Sequence, residues 1–586
     1  MYLNCHSFHS LRYGTIPLAE LVELGVSCGV SAMALTDINA ISGVYDFIKL
    51  CREVDIKPIA GIEFRRDGTL LYIGVAKSMA GVSEMNAFLS KHNLEEKPLP
   101  DAMAFKDAFT VYPLETAPEV LAENEWIGIR PDQLTQLVKA RWRDRIDNMV
   151  ILQPVTFRTK KEFNLHKILC AVDRNTLLSK LKPTDYGHPA DTMTAEHELR
   201  ERFRDYPMIV ANTEGLINQC TADFDFKQKR NKKNYTQNNG TDMQLLSRLA
   251  YQGLERRYGK SDKIAAARIA KELKVIENLE FAGYFLITWD IIRYSNSMGF
   301  MHIGRGSGAN SIVAYCLGIT DICPIELDLY FERFLNPSRK SPPDFDIDWS
   351  WQERDTILNY IFDRYGRDHV AFCGTNVEFK YRSIFREVGK VFGLPKEELD
   401  QLAKNPMAKH DTNKVVKLVQ EYGMMMEKYP NQRSMHACGI LISEEPITNF
   451  SVLELPPKGF PIVQFDMHVA EDIGFDKFDI LSQRGIGHIN DTVKLIEKNR
   501  NIRVNIRNTA LSKNEALCNE RLAQGKTIGC FYIESPAMRG LLRRLKCDNY
   551  RTLVAASSII RPGVAQSGMM KEYIFRHNNP AQFEYF

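Results

Sequence analysis

Apolar and polar positions change rhythm several times along the chain, and each rhythm predicts an element. "PLAELVELGVSCGV" (17–30) spaces Leu and Val at helical intervals, whereas "AMALTDINA" (32–40) and "KPIAGIEF" (57–64) are short apolar runs that predict buried strands. This βα alternation over the first 85 residues predicts a barrel or layered α/β domain. Residues 86–220 carry no clear period. "DFDFKQKRNKKNYTQNNGTD" (223–242) is polar, basic and poor in aliphatics, which predicts a linker or exposed loop with a domain boundary near it. Its Lys/Arg cluster also permits a weaker reading as a nuclear-localisation signal.

Beyond it, 243–258 and 262–280 have amphipathic helical spacing, and 283–299 is a more apolar helix. "HIGRGSGANSIVAYCLGI" (302–319) predicts a Gly/Ser turn feeding an apolar helix. "SPPDFDIDWS" (341–350) predicts an acidic strand. Residues 376–435 look helix-rich and charged, strands return at 436–443, 461–466 and 474–482, and the tail is helical. No internal repeat is evident.

Composition narrows the class. The 586 residues are 44% hydrophobic and 25% charged, enough for several cores. No apolar run reaches the roughly 18 residues of a membrane span, and "MYLNCHSFHS" lacks the basic and apolar regions of a secretory signal. The 12 cysteines form no CxxC pair, which fits free thiols in a reducing cytoplasm. Net charge is only +3, yet from Ile486 onward 16 Lys and Arg stand against 8 Asp and Glu. That imbalance suits an acidic partner such as nucleic acid, and a solvated surface equally well.

The acidic strand carries the candidate chemistry. On a strand, Asp344, Asp346 and Asp348 share one face, and Phe345, Ile347 and Trp349 the other. Several carboxylates cannot be buried unpaired, so a cation is expected over them, and a divalent metal is the natural choice. A calcium loop is excluded, because its sixth position, which needs Gly, is Trp349 and its twelfth is Asp355. A solvated strand edge is the alternative. Upstream, the glycines of "GRGSG" (304–308) let backbone N–H groups approach a phosphate, the following helix N-terminus favours an anion, and Arg305 adds fixed charge. An ordinary helix-leading turn is the plain reading of the same residues. "FDKFDI" offers Asp479 beside Lys477. Carboxylates, two metals and a triphosphate cradle together describe nucleotidyl transfer.

These residues resemble a known family. "GRGSGANSIVAYCLGITDICPIELDLYFERFLNPSRKSPPDFDIDW" (304–349), "YRSIFREVGKVFGLP" (381–395), "HACGILIS" (436–443), "FDKFDIL" (475–481), "FYIESPAMRGLLRRLK" (531–546) and "RPGVAQSGM" (561–569) resemble, in order, the alpha subunit of bacterial DNA polymerase III, the C-family replicative polymerases. The resemblance implies a multidomain α/β and α+β fold. It would consist of a PHP-like (polymerase and histidinol phosphatase) α/β barrel at 1–222, a polymerase-beta-like nucleotidyltransferase palm at 223–372 and 436–484, a helical thumb at 373–435, and the start of the fingers at 485–586. Full-length members continue beyond "HNNPAQFEYF", so an N-terminal fragment, slower than its parent, is expected.

By resemblance, Asp344, Asp346 and Asp479 are catalytic metal ligands for two Mg²⁺, with Mn²⁺ as a substitute. Gly306 and Ser307 bind triphosphate with Arg305, Lys477 and Arg561. Arg333, Arg339, Arg382 and Arg386 match basic positions that contact nucleotide or DNA, with surface ion pairing as the plain alternative for each. Asp348 matches an acidic position outside the three. Implied partners are primer-template DNA, dNTPs, and sliding-clamp, clamp-loader and proofreading subunits, with no membrane, in the bacterial cytoplasm at the nucleoid. In the PHP-like domain, where active relatives hold three metals, the pattern departs: Asn4-Cys5-His6 replaces H-x-H, Tyr13 an Asp, Ile38 a His, and Pro154-Val155-Thr156 a D-x-H. His6, Asp37 and Glu63 remain as residual ligands, and these losses argue against a PHP metal. His9 lies off the pattern. Two alternatives to a polymerase therefore stay open: a PHP-domain 3'-5' exonuclease or metallophosphoesterase, and a DNA-binding fragment without turnover.

Overall fold

The chain divides into two units that are each discontinuous in sequence: Met1–Lys233 with Phe362–Phe478, and Asn234–Ile361 with Asp479–Phe586. The structure, a computed structural model, describes residues 1–336, 338, 344–405, 413–507 and 513–582.

The first unit is built on eight strands, β1 (Tyr2–Cys5), β2 (Ala32–Leu35), β3 (Lys57–Arg66), β4 (Thr69–Ala76), β5 (Ala108–Pro113), β6 (Glu125–Ile129), β7 (Met149–Ile151) and β8 (Pro154–Val155). They lie in the order β7-β6-β5-β4-β3-β2-β1-β8, and among the described pairings no ladder joins β7 to β8. Pairs β1/β2, β2/β3 and β1/β8 are parallel, as the βα alternation requires. Strands such as "AMAL" are buried at every position, which marks a sheet covered on both faces. The helix Leu18–Ser27 falls where the spacing predicts it.

The same unit holds four further strands, ordered 453–454, 462–463, 370–378 and 430–442. Their long antiparallel pair, Val370–Glu378 with Pro430–Ile442, brackets three helices, Tyr381–Val391, Lys396–Lys404 and Lys414–Met425. Sequence reading finds only the apolar end of Pro430–Ile442, because its first nine residues are mostly half-buried and polar. The apolar faces of these helices join the helix Lys160–Asp173 in one cluster that includes Leu165, Leu169, Phe385, Val388 and Val419.

The basic stretch read as a linker or exposed loop is mostly exposed or half-buried, and it is fastened at points along its length. Lys229 Nζ lies 3.0 Å from Asp476, Asn231 Nδ2 donates to the Asp476 carbonyl at 2.6 Å, and the Lys232 amide donates to the Ile442 carbonyl at 2.8 Å. Its charge misleads because each of these partners lies more than 200 residues away in sequence.

In the second unit, helices Asn239–Tyr258, Lys263–Asn278 and Ala282–Ser297 precede three paired strands. His302–Arg305 runs antiparallel to Asp346–Ser350, which runs parallel to the strand Phe478–Gln483. Phe345, Ile347 and Trp349 are buried as the alternation predicts. Phe345 stacks on Tyr284, and Trp349 Nε1 donates to Ser295 Oγ at 2.7 Å. Helices follow from Arg484, and Met538, Leu541, Leu542 and Ala556 form their own small core.

Candidate active site

Pairing on both sides of the acidic strand creates the site. Asp346 faces Asp479 in parallel register and Arg305 in antiparallel register. Neighbouring strands lie about 4.8 Å apart, so the backbone itself brings the two carboxylates together. Asp344 lies just before the ladder, which begins at Asp346, so strand alternation by itself does not place it. It nonetheless completes the group: one carboxylate oxygen from each of Asp344, Asp346 and Asp479 lies within 4.8 Å of the others. Asp479 is buried and the other two are half-buried. Three carboxylates this close repel one another in a partly desolvated place, and a hard divalent cation with oxygen preference fits the donor set.

Asp348 is separate from this group. It is 2% exposed. Its Oδ2 accepts from Arg305 Nε at 2.7 Å, while Arg305 Nη1 donates to Asp346 Oδ2 at 3.2 Å. The cation over this part of the acidic face is thus an arginine of the adjacent strand.

The Gly/Ser turn reaches the carboxylates directly. Gly306 has φ +76°, and a Cβ there would lie 2.6 Å from Asp346 Oδ2. Ser307 is half-buried beside it. The helix that follows, Ile312–Leu317, begins five residues further on and is capped by Ser311, whose Oγ accepts from the Ala314 amide at 3.1 Å. Glu272 already stands at that N-terminus: its Oε2 accepts from Ser311 Oγ at 2.8 Å and from the Val313 amide at 3.2 Å. The expectation that this helix end receives a phosphate is therefore corrected, since an internal carboxylate fills it.

The remaining basic residues belong to both units. Arg333 and Arg561 are exposed in the second unit. Lys477, half-buried, and the exposed Arg382 and Arg386 belong to the first, where Arg386 pairs with Asp400 at 2.8 Å. Arg339 lies outside the described residues.

In the first unit the residual PHP positions form a closed network. His6 Nε2 meets Glu63 Oε2 at 2.9 Å, Asn4 Nδ2 donates to the same oxygen at 2.8 Å, and Arg65 Nε binds Oε1. His6 Nδ1 meets Thr156 Oγ1 at 2.9 Å, and Arg65 Nη2 donates to Tyr13 OH at 3.0 Å. Asn4, Tyr13 and Thr156 are departures from the metal-binding pattern, and each now supplies a hydrogen bond. Asp37 is engaged separately by the Ser7 amide and hydroxyl, both at 2.8 Å, and by Ser10 Oγ at 2.6 Å. Burial pushes the Glu63 carboxyl up, but the Arg65 guanidinium and His6 outweigh it and hold it below the ordinary carboxylate range. His6, Asp37 and Glu63 do not converge on a common point, and their donor atoms are taken, so they do not fit a metal cluster. Arg65 supplies the cation, a role that no local sequence signal revealed.

Three family models match in chain order: the PHP domain over residues 3–217, the bacterial DNA polymerase III alpha NTPase domain over 244–482, and the bacterial DNA polymerase III alpha subunit finger domain over 486–586. An error-prone DNA polymerase of Symbiobacterium thermophilum is 29% identical over 665 residues, covering 100% of this chain and 60% of that protein. DNA polymerase III subunit alpha of Bacillus subtilis is 29% identical, covering 96% of this chain and 55% of that protein. The Escherichia coli K12 subunit is 28% identical, covering 100% and 57%. The chain thus spans between half and two thirds of the length of these relatives.

Proposed function

We infer that the chain belongs to the bacterial DNA polymerase III alpha-subunit family, and from that premise we propose that it catalyses template-directed transfer of a deoxynucleotide from a dNTP to a primer 3'-hydroxyl, in DNA replication. The observation that carries this reading is the convergence of Asp344, Asp346 and Asp479 within 4.8 Å, beside a Gly-Ser turn.

In this reading the three aspartates hold a pair of Mg²⁺ ions, or Mn²⁺ in their place. When bound, such ions lower the pKa of the attacking hydroxyl and offset the charge that develops at phosphorus. The chain's own residues do the rest. Asp346 presents its carboxylate beside the Gly306 backbone, so the turn and the ligand share one small space. Ser307 and the turn's amides are donors for phosphate oxygens, and Arg305 is a fixed cation of the kind that phosphate recognition uses. Lys477 and Arg561 are proposed further phosphate contacts, and Arg333, Arg339, Arg382 and Arg386 proposed contacts to DNA or nucleotide. Residues 223–372 and 436–484 are assigned to the palm, 373–435 to the thumb and 485–586 to the fingers. Residues 1–222 are assigned a non-catalytic role, because Arg65 and its partners fill the PHP centre.

Primer-template DNA and dNTPs are the proposed substrates. Clamp, clamp-loader and proofreading subunits are proposed partners of the whole protein, and the cytoplasm its place. Incubating the chain with primed template, dNTPs and Mg²⁺ tests the reading: it predicts primer lengthening by nucleotides complementary to the template. Product that ignores the template, or none with either Mg²⁺ or Mn²⁺, would remove it.

A further inference from the structure

Asp348 lies within the acidic strand, two residues beyond a proposed metal ligand, yet outside the triad. Its carboxylate is buried, a costly place for a charge without a partner. Its partner is Arg305, whose own side chain is 47% exposed and whose guanidinium bridges two carboxylates, Nε to Asp348 at 2.7 Å and Nη1 to Asp346 at 3.2 Å. Arg305 stands opposite Asp346 in register, and Asp348 opposite Ile303, so Arg305 reaches Asp348 diagonally along the strand. A guanidinium is rigid and planar. Holding its Nε on a buried oxygen therefore fixes the direction in which its remaining N–H groups point. Lysine, a point charge, could not be aimed in this way.

We propose that Asp348 is a positioning residue: it anchors Arg305 so that the guanidinium offsets the charge of Asp346 before a divalent cation takes that carboxylate, and then stays at the edge of the site as a ligand for the nucleotide's phosphates. The proposal rests on the reading of Asp344, Asp346 and Asp479 as a divalent-cation site. It makes Arg305 both a competitor of the metal and a ligand of the substrate. It makes Asp348 act through Arg305 alone, touching neither metal nor nucleotide.

The test measures Mn²⁺ binding to the 586-residue chain by electron paramagnetic resonance, without and with dATP, in a double-mutant cycle. Arg305→Gln removes the internal competitor, and Mn²⁺ alone should bind about tenfold tighter, the worth of one charge-assisted hydrogen bond, while Mn²⁺–dATP binds more weakly. Asp348→Asn leaves the whole Arg305 charge on Asp346, and Mn²⁺ should bind about tenfold more weakly. In the Arg305→Gln background the same Asp348→Asn change should alter Mn²⁺ affinity by less than about twofold, because its agent is gone. An equal effect of Asp348→Asn in both backgrounds would overturn the proposal, since Asp348 would then act through its own charge. Should Asp348→Asn not fold, Arg305→Lys at the exposed position carries the test: it keeps charge, loses the Nε bond, and should show the weakened Mn²⁺–dATP binding of Arg305→Gln. Wild-type nucleotide affinity in Arg305→Lys would also overturn the proposal. Asp346→Asn serves as the separate control: unchanged Mn²⁺ binding there would remove the metal-site reading itself rather than the role of Asp348.

Discussion

Gly306 and Asp346 approach so closely that a single methyl group at residue 306 would sit 2.6 Å from the Asp346 carboxylate. The backbone at 306 is also left-handed, at φ +76°. Gly306→Ala therefore acts twice. The αL backbone costs roughly 1–2 kcal/mol for a residue with a Cβ. The contact itself falls on the free end of a side chain, so the carboxylate moves rather than the fold. Activity should thus fall further than stability: on the order of a hundredfold in nucleotide incorporation, as for a displacement of about 1 Å at a reacting centre. Thermal melting and single-nucleotide incorporation on one preparation check both halves.

Arg65→Met should destabilise the first unit by about 3–5 kcal/mol, because Glu63 is left buried without its cation. The double change Arg65→Met with Glu63→Gln should recover most of that loss. Urea midpoints of the three variants against the parent chain measure it. A double variant as unstable as Arg65→Met would mean that packing, not charge, holds this centre.

Stability should also depend on His166. Its Nδ1 donates to the Tyr13 carbonyl at 2.7 Å and its Nε2 accepts from the Gly187 amide at 2.8 Å, an arrangement that only the neutral ring satisfies. Burial lowers its pKa to about 3. The unfolded chain, with an imidazole pKa of about 6.5, then binds a proton that the folded chain refuses. The contribution of His166 is complete above about pH 6.5 and shrinks as pH falls from there toward 3, by up to about 1.4 kcal/mol per pH unit. His166→Gln, which can keep one donor and one acceptor, should flatten this part of the profile. Urea titrations at about pH 7, 6 and 5, which span the titration of a free imidazole, compare the two chains.

Leu169, on the helix Lys160–Asp173, and Phe385, on the helix Tyr381–Val391, belong to one buried cluster although 216 residues separate them. Leu169→Ala should cost about 2–5 kcal/mol and Phe385→Ala about 3–5. Because they share a core, the double variant should differ from the sum by about 0.5–3 kcal/mol. Additivity would place them in independent cores.

What the sequence disclosed follows from how local each signal is. The alternation in "DFDIDW" is enough to bury Phe345, Ile347 and Trp349, since period two is a property of the strand alone. The group of Asp344, Asp346 and Asp479 came by resemblance, and its geometry depends on register between strands more than 120 residues apart. Arg305 was legible as a charge near a Gly-rich turn, but its bond to Asp348 was not, because only the antiparallel pairing brings 305 to 348. Glu272 at the cap of Ile312–Leu317 was invisible for the same reason: it comes from a different helix. Arg65 shows the limit most clearly. Missing ligands in the PHP pattern marked the departure, and nothing local said that Arg65 would bind Glu63 and Tyr13.

The most direct measurement of the central claim is single-nucleotide incorporation on primed template by the chain and by its Asp346→Asn variant, at matched Mg²⁺ and salt. A carboxylate oxygen of Asp346 lies within 4.8 Å of those of Asp344 and Asp479 and beside the Gly-Ser turn, so in the proposed reading its loss removes charge that the metals need, with little change of side-chain volume. The variant should fold, and its incorporation rate should fall by on the order of a thousandfold or more. A variant that adds the nucleotide at close to the parent rate would contradict that reading, and the acidic strand would then be a structural feature rather than the centre of a polymerase.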